Sequence, residues 1–396
     1  MASVAQRSVV IVQYAGDYAE AYRRLAGGGA ENYYAQRYSV EVVADLARAD
    51  TRVTVICCTA ERDEDVVLPN GVRVLNLHSP AGVDAARVWA AAQQCAPTHV
   101  CLRTPIAGLL QAAVRTPSVR SVLVTLADSF EGKGLRERVR AWRLKRLLNH
   151  PKVVAVGNHG VNASRSLQRI GVHPDKIVPW DWPHSVTPHQ STPKTAPAGR
   201  PWTIFFGGLI VESKGVGDLI RAVRLLKDDG VTVHLECAGR GETDRFGALA
   251  AELGVSAQVR FLGLIPHAQV VPSMRAADLV AIPSRHDYPE GFPMTIYEAL
   301  SSRTPIVASD HPMYAPHLLQ TRAATVFAAA DPASVARAVK ALMADPAAYA
   351  AYSSASAAAW DKLRIPVTWG DLLSSWMARG TSESFAPLQH ALVPAH

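Results

Sequence analysis

Two carboxylates and one ammonium have types and settings that could do chemistry. Glu290 and Glu298 lie in EGFPMTIYEALSSRTPIVAS, residues 290–309. Glu290 sits in a Gly/Pro loop, and Glu298 falls in the first turns of a helix that starts near Met294. A helix start presents unpaired amide hydrogens and a partial positive charge. It is therefore a ready site for an anion. Gly291 lets the backbone come close to a ligand. Glu298 can accept hydrogen bonds from a diol such as a ribose, and Glu290 from sugar hydroxyls. A plainer reading exists, because glutamates near a helix start also complement its dipole. Upstream, FFGGLIVESKGVGDLI (205–220) reads as a strand, the pair Gly207-Gly208, a loop, and Lys214-Gly215 at a second helix start. A lysine there suits a diphosphate. The stretch is neither GxGxxG nor GxxxxGK[ST], so the usual NAD and nucleoside triphosphate fingerprints do not fit.

The elements that must hold these residues follow from apolar patterning. SVVIVQYA (8–15), RVTVICC (52–58), THVCLR (98–103), SVLVTLA (121–127) and KVVAVGN (152–158) read as buried strands, and residues 30–50 as the first helix. Strands alternating with helices imply a parallel sheet covered on both faces. Residues 183–200 are rich in Pro, Ser and Thr and are expected to be an extended linker. The same grammar then restarts. WTIFFGG (202–208), VTVHLECAG (231–239), VRFLG (259–263), DLVAIPS (278–284), PIVAS (305–309) and AATVFAA (323–329) are strands, and 216–230 is a helix. The expected organisation is a first domain over 1–182, a second over 201–366, a helix over 367–380 packing back toward the first domain, and a tail over 381–396. Each domain is α/β, Rossmann-like and doubly wound. Ligands of such sheets bind beyond the carboxyl ends of the strands, so a site is expected in a cleft between the two.

Composition bounds the class. Of 396 residues, 48% are hydrophobic and 19% charged, which is globular rather than disordered. The net charge of +7 is compatible with anionic ligands, an acidic membrane surface or nucleic acid, or with solubility alone. The five cysteines are odd in number and show neither a CxxC pair nor metal spacing. They suggest a reducing cytoplasm. The N-terminal residues are too polar for a secretory signal, and no apolar run is long enough to span a bilayer.

The motifs of the second half, taken together, resemble family 4 of the retaining glycosyltransferases, which have the GT-B architecture. The likeness is carried by Gly207-Gly208 to Lys214-Gly215, AGRG (238–241), VRFLG (259–263), Pro283-Ser284, Glu290-Gly291-Phe292-Pro293 with Glu298-Ala299, and SRTPIVAS (302–309). It is strong over 202–345, and weaker but colinear over 8–180. The resemblance implies two Rossmann-like domains facing across a cleft, the first binding the acceptor and the second the nucleotide-sugar donor. Lys214 and Arg240 would lie at the donor diphosphate. Glu298 would bind the ribose, and Glu290 the transferred sugar. The backbone of Phe292-Pro293-Met294-Thr295, whose N–H donors exclude proline, would line phosphate or sugar, and Phe261 and Leu262 the base. The loop Gly27-Gly28-Gly29, read as following the first strand, would face the diphosphate from the other domain; a flexible turn is the alternative. Implied too is retention at the anomeric carbon. No cofactor is expected, and nothing visible in the sequence requires a metal, since no DxD stands at a strand end. The donor diphosphate itself would accept the acceptor's proton.

This chain departs from the family pattern twice. Gly208 stands where many members carry a basic residue, and Arg240, Arg285 or Arg303 are the candidates to replace it. Ala127, beside Asp128, stands where many have a histidine; His159 is a candidate substitute, the alternative being an ordinary loop histidine. These departures motivate a second reading, a catalytically silent protein that binds sugar nucleotides or glycans. Finally, residues 132–152 form the densest basic segment, with Leu135, Val139, Trp142, Leu144 and Leu147-Leu148 as an apolar side. Peripheral contact with the inner face of a membrane is one expectation, and a solvated domain helix the other. The expected partners are a nucleotide-sugar donor and a small-molecule, glycan or lipid-linked acceptor, in a cytoplasmic protein. No nucleic-acid recognition motif accompanies the charge.

Overall fold

A computed structural model of the chain describes residues 7–379, apart from 15, 33, 49–50, 81 and 131–133. The expected tail, 381–396, and the start of the basic run, Gly132 and Lys133, lie outside the described residues. The chain forms two compact units. The first comprises 1–31, 35–183 and 365–396, and the second 32–34 and 184–364.

The first unit is built on an eight-stranded sheet. Its strands are β1 (Arg7–Gln13), β2 (Thr51–Ala60), β3 (Glu64–Val67), β4 (Arg73–His78), β5 (His99–Leu102), β6 (Ser121–Leu126), β7 (Val153–His159) and β8 (Ile177–Trp180), in the order β3-β4-β2-β1-β5-β6-β7-β8. Every pair is parallel except the edge pair β3–β4. The central strands are near-continuous apolar runs because helices cover both faces. The structure departs from the sequence reading in one respect that matters. A helix, Tyr18–Ala26, stands between β1 and the triple glycine, so Gly27-Gly28-Gly29 follows a helix rather than the first strand. Asp17 caps that helix by accepting from the Glu20 amide at 2.9 Å, and the next helix runs over Gln36–Arg48.

The second unit carries β9 (Trp202–Gly207), β10 (Val233–Ala238), β11 (Val259–Gly263), β12 (Leu279–Ile282), β13 (Ile306–Ser309) and β14 (Ala324–Phe327). Their order, β11-β10-β9-β12-β13-β14, is parallel throughout. Counted from β9, this is the 3-2-1-4-5-6 order of a doubly wound sheet, whose winding reverses between β9 and β12. Residues 184–200 do not hang free as a linker. The Lys194 ammonium donates to the Arg275 carbonyl at 2.7 Å, and Arg200 forms a paired contact with the buried Asp278 at 2.6 and 2.7 Å. Burial lowers the Lys194 pKa to about 8. Arg303 donates to the Pro188 carbonyl at 2.8 Å. This stretch is extended, yet it is docked along the second unit.

The helix Trp369–Arg379 belongs to the first unit. Trp369, Leu372, Leu373 and Trp376 are fully buried. Trp376 Nε1 donates to Ser121 Oγ at 2.7 Å, and Trp369 Nε1 to Thr125 Oγ1 at 3.3 Å, so both indoles find an acceptor on β6. Leu372 fills space left by Gly157 on β7. We expect Leu372→Ala to lower the stability of the first unit by about 2–5 kcal/mol, read by urea denaturation with a tryptophan fluorescence signal. An exposed control, Leu319→Ala in the second unit, is expected to leave it within about 0.5 kcal/mol.

Candidate functional site

In the second unit the expected site residues gather at the carboxyl ends of β9–β12. The loops there are tied together by backbone. Gly208 N donates to the Ala238 carbonyl at 2.9 Å, Ile210 N to the Arg240 carbonyl at 2.9 Å, and Gly239 N to the Gly263 carbonyl at 2.8 Å. A Cβ on Gly239 would stand 1.8 Å from the Gly208 carbonyl oxygen, so only glycine permits this approach. Gly215 has φ +76°, and its Cβ would stand 2.1 Å from the Pro283 carbonyl oxygen. It closes a 3-10 turn, Glu212–Lys214, and opens the helix Val216–Asp228. The Lys214 loop thus lies against the loop that follows β12.

Lys214 and Glu290 meet across that junction. The ammonium hydrogen-bonds Glu290 Oε1, which also accepts from Ser284 Oγ at 2.7 Å. The same ammonium stands 4.1 Å over the Tyr288 ring. Glu290 is 6% exposed. A carboxylate this deep is tolerable because a charge and a hydroxyl satisfy it. Arg285 fastens the two loops from the side. Its amide donates to the Ser213 carbonyl at 2.8 Å, and its guanidinium grips Asp218 at 2.7 and 2.8 Å and Glu212 at 2.5 Å. The Asp218 carboxylate holds the Arg285 guanidinium above its ordinary pKa.

The helix Met294–Ser302 begins four residues after Glu290, behind Pro293, with no side-chain cap. Gly291, Phe292 and Pro293 are buried, while Met294 and Thr295 are half-buried. Its amide end thus follows the Glu290 partner of Lys214 by four residues, and the helix carries the buried Glu298. Glu298 Oε1 is bonded to His267 Nε2 at 3.1 Å, and Glu298 is 7% exposed. His267 opens the helix His267–Ala276, and the Tyr34 ring meets it edge-on at 4.8 Å. Phe261 and Leu262 are half-buried on the edge strand β11.

His311 follows β13 and is buried. Its Nδ1 accepts from the Met313 amide at 3.3 Å, so Nε2 carries the proton and donates to the Tyr288 carbonyl at 3.1 Å. The ring stacks on Tyr314 at 5.1 Å. Burial holds its pKa below the ordinary 6.5, against the opposing pull of the Tyr288 carbonyl.

Of the three arginines expected to replace a basic residue at Gly208, Arg285 is engaged as described. Arg303 ends the helix Met294–Ser302 at the terminus away from Glu290, and is buried. Arg240 is exposed beside Gly239. Tyr288, His267 and His311 carry no signal of their own in the sequence, because their partners come from other strand ends.

The remaining expected residues lie in the first unit. Gly27-Gly28-Gly29 folds back on its own helix, with Gly27 N donating to the Arg23 carbonyl at 3.0 Å and Gly29 N to the Arg24 carbonyl at 2.8 Å. Asp128 follows β6, and its backbone exchanges hydrogen bonds with the Asn158 side chain at 2.8 and 3.2 Å. Burial raises the pKa of Asp128. His159 is not a loop residue. It ends β7, is 4% exposed, and bonds Asp181 Oδ1 through Nε2 at 2.9 Å. Asp128 and His159 thus come to the carboxyl ends of neighbouring strands. Among the described residues, no group of three or more His, Cys, Asp or Glu side chains is placed to hold a metal ion.

Residues 190–359, nearly the whole second unit, match the family model of glycosyl transferases group 1. D-inositol 3-phosphate glycosyltransferase of Corynebacterium jeikeium is 39% identical over 118 residues, which are 28% of this chain and 27% of that protein. The lipopolysaccharide core biosynthesis mannosyltransferase LpcC of Rhizobium leguminosarum bv. viciae is 36% identical over 104 residues, 26% of this chain and 28% of that protein. The matched stretch thus spans little more than a quarter of these curated relatives. Among solved structures, sucrose-phosphate synthase from Thermosynechococcus elongatus superposes with a TM-score of 0.68 at 15% identity, over 94% of this chain and 98% of that one. Anabaena HepE, solved in complex with UDP and glucose, gives 0.66 at 14% identity, over 94% of this chain and 100% of that one. The chain has the GT-B fold, and its second unit matches the group 1 glycosyl transferases.

The His311 setting has a pH consequence. A histidine whose folded pKa is depressed takes up its proton more readily when unfolded. Its contribution to stability is complete above about pH 6.5 and is lost as pH falls below that value. We expect the thermal midpoint of the wild type to fall more steeply than that of His311→Gln between about pH 7 and pH 5, followed by circular dichroism at matched ionic strength. Parallel profiles would contradict the assignment.

Proposed function

We propose that the chain is a retaining glycosyltransferase of family 4, moving a sugar from a nucleotide-diphosphate sugar to a hydroxyl acceptor. The observation that carries this reading is the Lys214–Glu290 pair, set at the reversal of sheet winding and beside the amide end of Met294–Ser302. An ammonium paired to Glu290, with an uncapped helix start four residues further on, suits a diphosphate. The relatives named as glycosyltransferases, and HepE with UDP and glucose, support the same reading.

In this reading the diphosphate binds between Lys214 and the amides of Met294 and Thr295, with Arg240 at its edge. Glu298, oriented by His267, takes the ribose hydroxyls. Lys214 and Ser284 both bond Glu290 through Oε1; Oε2 is the oxygen assigned to the sugar. Phe261 and Leu262 border the base. The bond from the anomeric carbon to the phosphate oxygen breaks, and negative charge builds on the diphosphate. Fixed donors already aimed there stabilise that charge as it develops. The acceptor oxygen bonds to the same face of the anomeric carbon, and its proton passes to the departing phosphate. Glu290 and Glu298 bind and orient rather than attack, so the flanking carboxylate pair of a glycosidase is not needed.

The silent-binder alternative keeps its motive in Ala127 and Gly208. Calorimetry with UDP, GDP, ADP and dTDP, and a donor-hydrolysis screen across nucleotide sugars, separate the two. Binding accompanied by slow hydrolysis supports the transferase, and binding with no turnover under any acceptor supports the binder. Lys214→Ala is expected to weaken nucleoside diphosphate binding about tenfold or more, and unchanged affinity would remove the ammonium from the site. Glu290→Gln, which keeps the shape, is expected to lower kcat by about a hundredfold with a smaller change in diphosphate affinity.

A further inference from the structure

The basic helix Leu135–Leu148 presents two different faces. Leu144 and Leu148 are buried in the first unit's core, with Leu147 packed beside them. Val139 and Trp142 are not; they are 47% and 53% exposed. Two positions apart on a helix, Trp142 and Leu144 point about 160° away from each other. The apolar residues that the sequence suggests as one side are therefore split between the core and solvent. The same geometry puts Val139 and Arg146 alongside Trp142, at i−3 and i+4. From Arg136 to Arg143 no residue is buried, and only Ala141 is even half-covered.

Charge surrounds the exposed pair. Arg136, Arg138, Arg140, Arg143 and Arg146 are exposed, and Lys145 is half-exposed, against a single acid, Glu137. The Arg146 guanidinium lies 5.0 Å over the Trp142 ring. Single exposed apolar residues are ordinary. A tryptophan and a valine one turn apart, inside a ring of arginines and opposite the core-facing side, form an interfacial pattern. Among the described residues no helix is long and apolar enough to cross a membrane, so such a contact would be lateral.

We propose that the Val139–Trp142 face of this helix docks the protein on an anionic lipid surface. Trp142 and Val139 enter the boundary between headgroups and acyl chains, and the arginines meet lipid phosphates. A nucleic acid would also answer the charge, but it gives no role to an exposed valine beside the tryptophan. The proposal concerns the first unit and does not depend on the glycosyltransferase reading.

The test is co-sedimentation of the full chain with vesicles of phosphatidylglycerol and phosphatidylcholine, and with phosphatidylcholine alone. Salt-sensitive binding to the anionic vesicles is expected. The double variant Val139→Ser/Trp142→Ser should weaken it about tenfold or more, as should Arg138→Glu/Arg143→Glu. The thermal midpoint should stay unchanged, since these side chains are exposed. Trp142→Phe should keep binding while losing part of the tryptophan quenching by brominated lipid, which places residue 142 at the contact. Equal binding to both vesicle types, full binding by the serine variant, or displacement of vesicles by a single-stranded oligonucleotide would each overturn the proposal.

Discussion

One buried ion pair organises the second unit's working edge. Lys214 comes from the loop after β9, and Glu290 from the loop after β12. Those strands are neighbours in the sheet although far apart in the chain. The winding of the sheet reverses between them, so the helices that follow run to opposite faces and leave the strand ends open. A pair of opposite charges here has two effects. It gives a buried carboxylate its counter-charge, and together with the Arg285 amide bond to the Ser213 carbonyl it joins two loops distant in the chain.

The surrounding residues keep that pair in register. Gly215 lets the Lys214 turn approach Pro283, and Arg285 ties the β12 loop to Asp218, Glu212 and the Ser213 carbonyl. His311 holds the Tyr288 carbonyl, and the Tyr288 ring lies under the ammonium. Preorganisation of this kind matters because a site that must rearrange at the moment of reaction loses much of its electrostatic benefit. The His267–Glu298 bond holds the second carboxylate in place in the same way.

Much of this was legible in the sequence. Apolar runs such as SVLVTLA and WTIFFGG mark buried parallel strands because both faces are covered, and β6 and β9 fall where those runs lie. Glu290, Glu298 and Lys214 were readable because each sits beside a helix start with its own local signal. What was not legible depends on contacts between distant segments. His267 looks like any polar residue until Glu298, thirty-one positions on, is brought against it. The helix Tyr18–Ala26 is hard to read in the sequence because it is only nine residues long, and its buried side includes two alanines as well as Tyr18 and Leu25. Residues 184–200 look like a free linker by composition, yet Lys194, Arg200 and Pro188 each find a partner on the second unit. The apolar residues of Leu135–Leu148 could be counted in the sequence, but only the packing of Leu144 and Leu148 shows which of them face the core.

The placement of the helix Trp369–Arg379 sets the order in which a nascent chain can mature. Its buried tryptophans complete the hydrophobic interior begun by β1 to β8, yet they are translated after everything in the second unit. A ribosome adds residues far more slowly than secondary structure forms. The first unit must therefore wait with β6 and β7 partly uncovered while the second unit emerges and can close on its own. The lobe made first is finished last, and during that interval its open apolar surface is what a chaperone would meet.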